Sequence, residues 1–83
     1  MNKEKETEII SKVSKSFNKR VEATDNLHLK FLEHPNFLEY ETDNLKLFID
    51  EVVACAEQLV SEERNFRTTV CLAADEIRKE QSY

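Results

Sequence analysis

Two histidines and two cysteines are the side chains of this 83-residue chain that are best suited to bind metal or act as nucleophiles. His28 and His34 lie six residues apart, whereas two ligands on one helical face need a spacing of three, four or seven. The sequence has no E-x-x-H, H-x-x-H or H-E-x-x-H pattern, so the spacings used by di-iron bundles and zincins are missing. We therefore predict no metal site and no cofactor.

The two cysteines fit a structural role better than a catalytic one. On a continuous helix the sixteen residues from Cys55 to Cys71 turn through about 160°, so the two thiols would point in different directions. Each lies in an apolar run, where a free cysteine behaves as a small hydrophobic residue. Adjacent carboxylates such as Asp50-Glu51 and Asp75-Glu76 fall on expected polar helix faces. We predict that the protein is not an enzyme and has no catalytic residues.

The absence of glycine narrows the possible folds. Glycine is the default residue for positive φ angles and for close backbone approach to phosphate, and the chain has none. A P-loop and a G-x-G-x-x-G dinucleotide site are therefore excluded, and a β domain with two-residue turns is disfavoured. The chain also lacks an apolar leader and a run of about 20 apolar residues, which predicts a cytoplasmic protein with no membrane partner.

The net charge of −5 is unevenly distributed. Residues 1–32 carry seven basic and five acidic side chains, whereas residues 33–83 carry five basic and twelve acidic ones. Either a basic helix packs beside an acidic one, or the acidic half binds a basic partner. The possible basic patch consists of Lys12, Lys15, Lys19 and Arg20. Because four charges support only weak, salt-sensitive phosphate binding, nucleic acid is a disfavoured partner.

Helical periodicity predicts the elements that must position these residues. Ile9, Val13, Phe17 and Val21 recur every four residues and indicate a helix over about residues 5–33, with a possible break near residue 24. A corner over residues 34–36 contains Pro35, which disfavours helix before it and suits the first helical position after it. The helical repeat and the short corner both favour a single helical domain over residues 1–83.

A heptad pattern predicts a second helix over about residues 37–80. Leu38, Leu45, Val52, Leu59, Phe66 and Ala73 are spaced by seven, and so are Thr42, Ile49, Ala56, Glu63, Val70 and Ile77. Such an alternation is typical of coiled-coil-like packing. Ser61 followed by two acidic residues could begin a new helix, so residues 43–80 are either one helix or two.

The predicted fold is all-α: an antiparallel helical hairpin or a three-helix bundle, completed by homodimerisation because so small a chain has a marginal core. The candidate residues for self-association or partner binding are Phe37, Tyr40, Leu59, Glu63, Phe66 and Val70. Glu63 falls in the heptad pattern, so it is expected to pair with Arg64 or Arg67 of a neighbouring helix. The predicted core consists of Ile9, Ile10, Val13, Phe17, Val21, Phe31, Leu38, Leu45, Ile49, Val52, Ala56, Leu59, Phe66, Val70 and Ile77.

These features favour a non-enzymatic protein–protein interaction module, such as a small regulator, inhibitor, immunity factor or chaperone. It would act by docking a helix face on a protein partner, with acidic residues selecting a basic one. The alternative is a nucleic-acid-linked regulator. That protein would bind DNA weakly through the basic first helix or block a DNA-binding protein through its acidic half.

Overall fold

The computed structural model describes residues 1–81, so residues 82 and 83 of the predicted domain lie outside the described part. Helix α1 spans Lys3–Glu33 and helix α2 spans Thr42–Gln81. The helices run antiparallel, because Lys5 near the start of α1 pairs with Glu80 near the end of α2. The all-helical prediction is confirmed. Within residues 1–81 the chain forms a helical hairpin with neither a strand nor a third α-helix.

Helix α1 has the length that the sequence predicts. The Asn2 side chain caps its start by accepting a hydrogen bond from the Lys5 backbone N–H at 2.8 Å. The helix continues without a break through residue 24, where the Thr24 hydroxyl donates to the Arg20 carbonyl at 3.0 Å. At the other end the His34 N–H donates to the Phe31 carbonyl at 3.3 Å.

The corner is longer than predicted, and α2 begins at Thr42 rather than near residue 37. A single 3-10 turn occupies Phe37–Glu39, after which Tyr40 adopts an extended backbone (φ −69°, ψ 141°) that no helix can continue. The Leu45 N–H then donates to the Glu41 carbonyl at 2.8 Å and starts the helix. From there α2 runs through residues 61–65 as one helix of 40 residues.

The helix–helix seam uses only part of the predicted core. The buried and half-buried side chains of α2 form two complete rows, residues 48, 55, 62, 69 and 76 and residues 52, 59, 66, 73 and 80, with residues 56, 63 and 74 half-buried beside them. The second row is the predicted one. Each residue of the first row lies one position before a residue of the other heptad row that the sequence predicts, at 49, 56, 63, 70 and 77. The seam is therefore rotated relative to the apolar pattern of the sequence.

This rotation leaves much of the predicted core in contact with solvent. Ala23 and Phe48 are the buried residues of the described chain, and neither was in the predicted core. Six predicted core residues are half-buried, namely Ile9, Val13, Val52, Ala56, Leu59 and Phe66. The other nine are exposed, namely Ile10, Phe17, Val21, Phe31, Leu38, Leu45, Ile49, Val70 and Ile77. Two helices alone bury one narrow stripe each, so a wider apolar face cannot be covered within the hairpin.

The hairpin is elongated and rich in surface. Its principal extents are 64 × 16 × 12 Å, and its radius of gyration is 18.8 Å, where a compact chain of this length has about 12 Å. Its accessible surface of 6737 Å² exceeds the roughly 5,200 Å² of a compact monomer of 9.8 kDa. Within residues 1–81, neither helix combines the length and apolar composition needed to cross a bilayer.

Candidate interaction surface

The two long sides of the hairpin differ in chemistry. On one side, Ile10 of α1 and Ile77 of α2 line a shared groove near the open end. Because residues seven apart share a helix face, Phe17 continues this side along α1 and Val70 continues it along α2. These apolar side chains are all exposed. We refer to this surface as the apolar side.

Helix α2 supplies most of the apolar side through a continuous stripe. We define this outer stripe by its residues: Ile49, Val53, Ala56, Val60, Glu63, Arg67, Val70, Ala74 and Ile77. The spacing alternates between four and three, as in the contact rows of a coiled coil. The valine and isoleucine side chains of the stripe remain between 38% and 58% exposed. Helix α2 therefore has a second stripe whose valine and isoleucine side chains α1 leaves exposed.

The charged residues of the outer stripe lie at its centre. Glu63 forms an ion pair with Arg20 of α1 through one carboxylate oxygen. Its other oxygen accepts a hydrogen bond from Arg67 Nε at 3.2 Å, one turn further along α2. The guanidinium of Arg20 also lies 5.8 Å from the ring centre of Phe66. The hydrogen bond from Arg20, aided by Arg67, lowers the pKa of the Glu63 carboxyl below its usual value.

Within one chain Glu63 pairs with Arg20 and Arg67. The sequence predicted Arg64 or Arg67 of a neighbouring helix, and that pairing in self-association stays a prediction. The partner of Glu63 on α1 is Arg20, which the sequence assigned to the basic patch. Arg67 pairs with Glu63 from within the same helix, whereas Arg64 is not among the ion-pair partners in residues 1–81. The antiparallel register, in which Phe17 lies beside Phe66 at 5.8 Å between ring centres, brings Arg20 to Glu63.

The opposite side of the hairpin is mostly polar, although Leu72 is 60% exposed there. Lys12, Lys15 and Lys19 line a groove there, with Glu62 and Glu76 on the α2 wall. Lys12 also pairs with Glu8 of its own helix at 3.1 Å. The predicted basic patch is therefore divided, because Arg20 points into the seam while the three lysines face an acidic wall. We call this surface the polar side.

An aromatic cluster fills the corner around Phe48. The ring centre of Phe48 lies 5.0 Å from those of His34 and Phe37 and 6.2 Å from that of Tyr40. His34 Nδ1 is hydrogen-bonded to the Tyr40 hydroxyl at 2.7 Å, and its Nε2 lies 3.3 Å from a Glu51 carboxylate oxygen. The cluster connects the corner to both helices. Phe37 and Tyr40, candidate contacts from the sequence, are half-buried in this packing.

The remaining candidate residues are divided between the seam and the apolar side. Leu59 and Phe66 are half-buried in the seam, and Val70 is exposed in the outer stripe. Cys55 and Cys71 are both free thiols, the first half-buried and the second exposed rather than core-facing. Across residues 1–81 no group of three or more potential ligands is arranged to hold a metal ion.

Sequence reasoning missed the outer stripe as a unit. Val53 and Val60 are apolar residues beside the predicted heptad rows and Ala74 ends an apolar run, but the charged Arg67 interrupts the pattern. The stripe becomes apparent only once the structure shows which row faces α1. Comparison with known protein families, curated proteins and solved structures finds no match for this chain.

Proposed function

We propose that this chain is a non-enzymatic protein–protein interaction module that docks the apolar side of its hairpin on a helical polypeptide. The observation that carries the proposal is the outer stripe, whose five valine and isoleucine side chains between Ile49 and Ile77 are all exposed. Large contiguous apolar patches on a soluble surface are typical of sites for macromolecular contact. The four-and-three spacing of the stripe matches the periodicity of a partner helix.

The thin core supports the same proposal. With Ala23 and Phe48 as its buried residues, the described hairpin removes little apolar surface from water. Small chains of this kind usually gain stability from disulfides, metals or association. Both cysteines are free thiols. Association through the apolar side would bury further side chains, and self-association to a homodimer would complete a helical bundle.

The charges give the docking surface its specificity. Glu63 and Arg67 interrupt an otherwise apolar stripe at its midpoint, where Arg20 of α1 pairs with Glu63. A partner that buries this position must provide polar groups there, because an unpaired buried charge is costly. The surface therefore selects against purely apolar helices. The nucleic-acid-linked alternative stays a prediction, since Lys12, Lys15 and Lys19 face the acidic wall of the polar side.

A site-specific photocrosslinker tests the proposal in the cells that produce the protein. The crosslinker replaces Val60 on the apolar side in one variant and Leu72 on the polar side in a second, matched variant. We expect Val60 to yield adducts with one defined polypeptide, which a Val70→Asp substitution abolishes. Adducts of equal yield from both positions, or insensitive to Val70→Asp, would contradict the proposal. A crosslinked adduct between Val60 and a second copy of this chain would also support docking on the apolar side.

A further inference from the structure

We infer that the polypeptide docked on the apolar side is a second copy of this chain, with the two α2 helices packed antiparallel about a two-fold axis between Glu63 and Arg67. This inference rests on the proposed function and specifies its partner and register. In this arrangement Val60 lies opposite Val70 of the second copy, and Glu63 lies opposite Arg67. The dimer is a four-helix bundle with both outer stripes inside.

The spacing of the outer stripe leads to this register. In an antiparallel pair of heptad helices, each row of one helix lies opposite the other row of its partner. One row of the stripe contains residues 49, 56, 63, 70 and 77, and the other contains residues 53, 60, 67 and 74. A two-fold axis between residues 63 and 67 then pairs Val53 with Ile77 and Ala56 with Ala74 of the second copy. Every apolar residue of these pairs meets another apolar residue.

Other registers bring unlike side chains together. A shift of the second copy by seven residues in one direction places Glu63 opposite Val60, and in the other direction it places Arg67 opposite Val70. A parallel, in-register pair would place Glu63 opposite Glu63 and Arg67 opposite Arg67. Each case buries a charge against an apolar or like-charged group, which is unfavourable. The stripe is therefore self-complementary in one antiparallel register, as a two-fold interface requires.

The contacts at the axis suit this pairing. Arg67 uses Nε for Glu63 of its own chain, and its side chain is 75% exposed. A guanidinium has five N–H donors in a planar fork, so Arg67 has further donors for Glu63 of the second copy. Each carboxylate oxygen of Glu63 has two lone pairs and therefore accepts an additional bond. Arg20 reaches the same carboxylate from α1 of its own chain.

The available area is sufficient for a stable dimer. In this register residues 49–81 of the two α2 helices overlap over about 48 Å, so a face 16 Å wide covers roughly 770 Å², close to the value of about 800 Å² that a standard interface covers on each partner. The hairpin also exposes roughly 1,500 Å² more than a compact monomer of its mass. Covering the apolar side would therefore reduce the accessible surface of each chain toward that of a compact protein of its mass.

Disulfide trapping of the purified full-length protein tests the register directly. In a background with Cys55→Ala and Cys71→Ser, one preparation carries Val60→Cys and another carries Val70→Cys. Oxidation of the mixture is expected to give covalent dimers that contain one chain of each variant. Neither variant alone should crosslink, because two copies of residue 60 would lie about 15 Å apart along the helix, beyond disulfide reach of about 7 Å.

Light scattering after size exclusion provides the second measurement. We expect the unmodified chain to be a dimer and Arg67→Glu to weaken it about tenfold, since like charges then meet at the axis. Leu72→Glu, on the polar side, is the matched control and should leave the dimer intact. A dimer that forms no mixed disulfide would overturn the register. A strictly monomeric chain would overturn the inference that the partner is a second copy. In that case, photocrosslinked adducts to another polypeptide from Val60 alone would still support docking on the apolar side.

Discussion

Arg20 of α1 and Glu63 of α2 form an ion pair at the midpoint of the hairpin, where Arg67 joins them. The pair connects the helix–helix seam to the outer stripe. Arg20 reaches across the seam, and Glu63 lies in the outer stripe. The oppositely charged groups of the pair fix the register of the two helices and mark the centre of the face that we propose for docking.

Replacing Glu63 by glutamine should reduce stability in a pH-dependent manner. Arg20 holds the folded-state pKa of Glu63 below the usual value of about 4.3. A depressed folded pKa stabilises the protein above the unfolded pKa, and this contribution disappears as the pH falls through the folded pKa. Thermal unfolding should therefore show a lower Tm for Glu63→Gln at pH 7 and a difference from the unmodified chain that shrinks as the pH falls below the usual glutamate range.

Glu57→Gln is the control for this experiment, because Glu57 is exposed on α2. Its Tm should follow that of the unmodified chain over the same pH range. A Tm difference for Glu63→Gln that stays constant from pH 7 to pH 3 would contradict the role assigned to the Glu63 charge.

Replacing Phe48 by alanine should cause the largest loss of stability of any single truncation. Its ring is 2% exposed and contacts the aromatic rings of the corner on several sides. Removing a buried phenylalanine side chain costs about 3–5 kcal/mol. Leu38→Ala, at a side chain that is 87% exposed, should cost no more than about 0.5 kcal/mol. Urea unfolding measures both, and equal losses would refute the assignment of Phe48 to the core.

Replacing Tyr40 by phenylalanine should remove one hydrogen bond and keep the ring packing. The Tyr40 hydroxyl is bonded to His34 Nδ1 at 2.7 Å, and a hydrogen bond of this kind contributes about 0.5–1.5 kcal/mol. The free energy of unfolding from urea titration should fall by that amount. The same substitution should have no effect in a His34→Ala background. An undiminished loss in that background would show that the hydroxyl acts through another group.

Replacing Ala23 by leucine should destabilise the hairpin through overpacking. Ala23 is 3% exposed in the seam, where a larger side chain would force the helices apart. Insertions of this size into a packed site cost about 1–3 kcal/mol. Ser11→Leu is the matched control, because Ser11 is exposed on the same helix. A rise in Tm for Ala23→Leu would indicate that the seam has unfilled space at this position.

The helices were predictable because their signals are local. The four-residue repeat of Ile9, Val13, Phe17 and Val21 and the heptads after Pro35 depend on neighbours within a few turns. The start of α2 was not predictable in this way. Pro35 suits a first helical turn in isolation, but the contacts of Phe37 and Tyr40 with Phe48 stabilise a 3-10 turn and an extended residue there.

The choice of seam could not be read from the apolar pattern either. Row 49–77 of α2 has four apolar residues in five, as many as row 52–80 and more than row 48–76, so periodicity alone favours a row that is not fully in the seam. The choice depends on pairs between the helices, such as Arg20 with Glu63 and Phe17 with Phe66. The position of Glu63 among apolar residues marks it as unusual in the sequence. Its pairing with Arg20 depends on how the two helices are aligned, and only the folded structure shows that alignment.

The antiparallel register also determines the order in which contacts can form during folding. His34 and Phe48 are separated by 14 residues, whereas Lys5 and Glu80 are separated by 75. Since the entropic cost of closing a loop grows with its length, the aromatic corner is the least costly place to start. Once it has formed, each further turn of α1 meets its opposite turn of α2 with little additional loop to close. We expect contacts between α1 and α2 to form in order from the Phe48 cluster toward the open end. The ion pairs of Glu80 then form last.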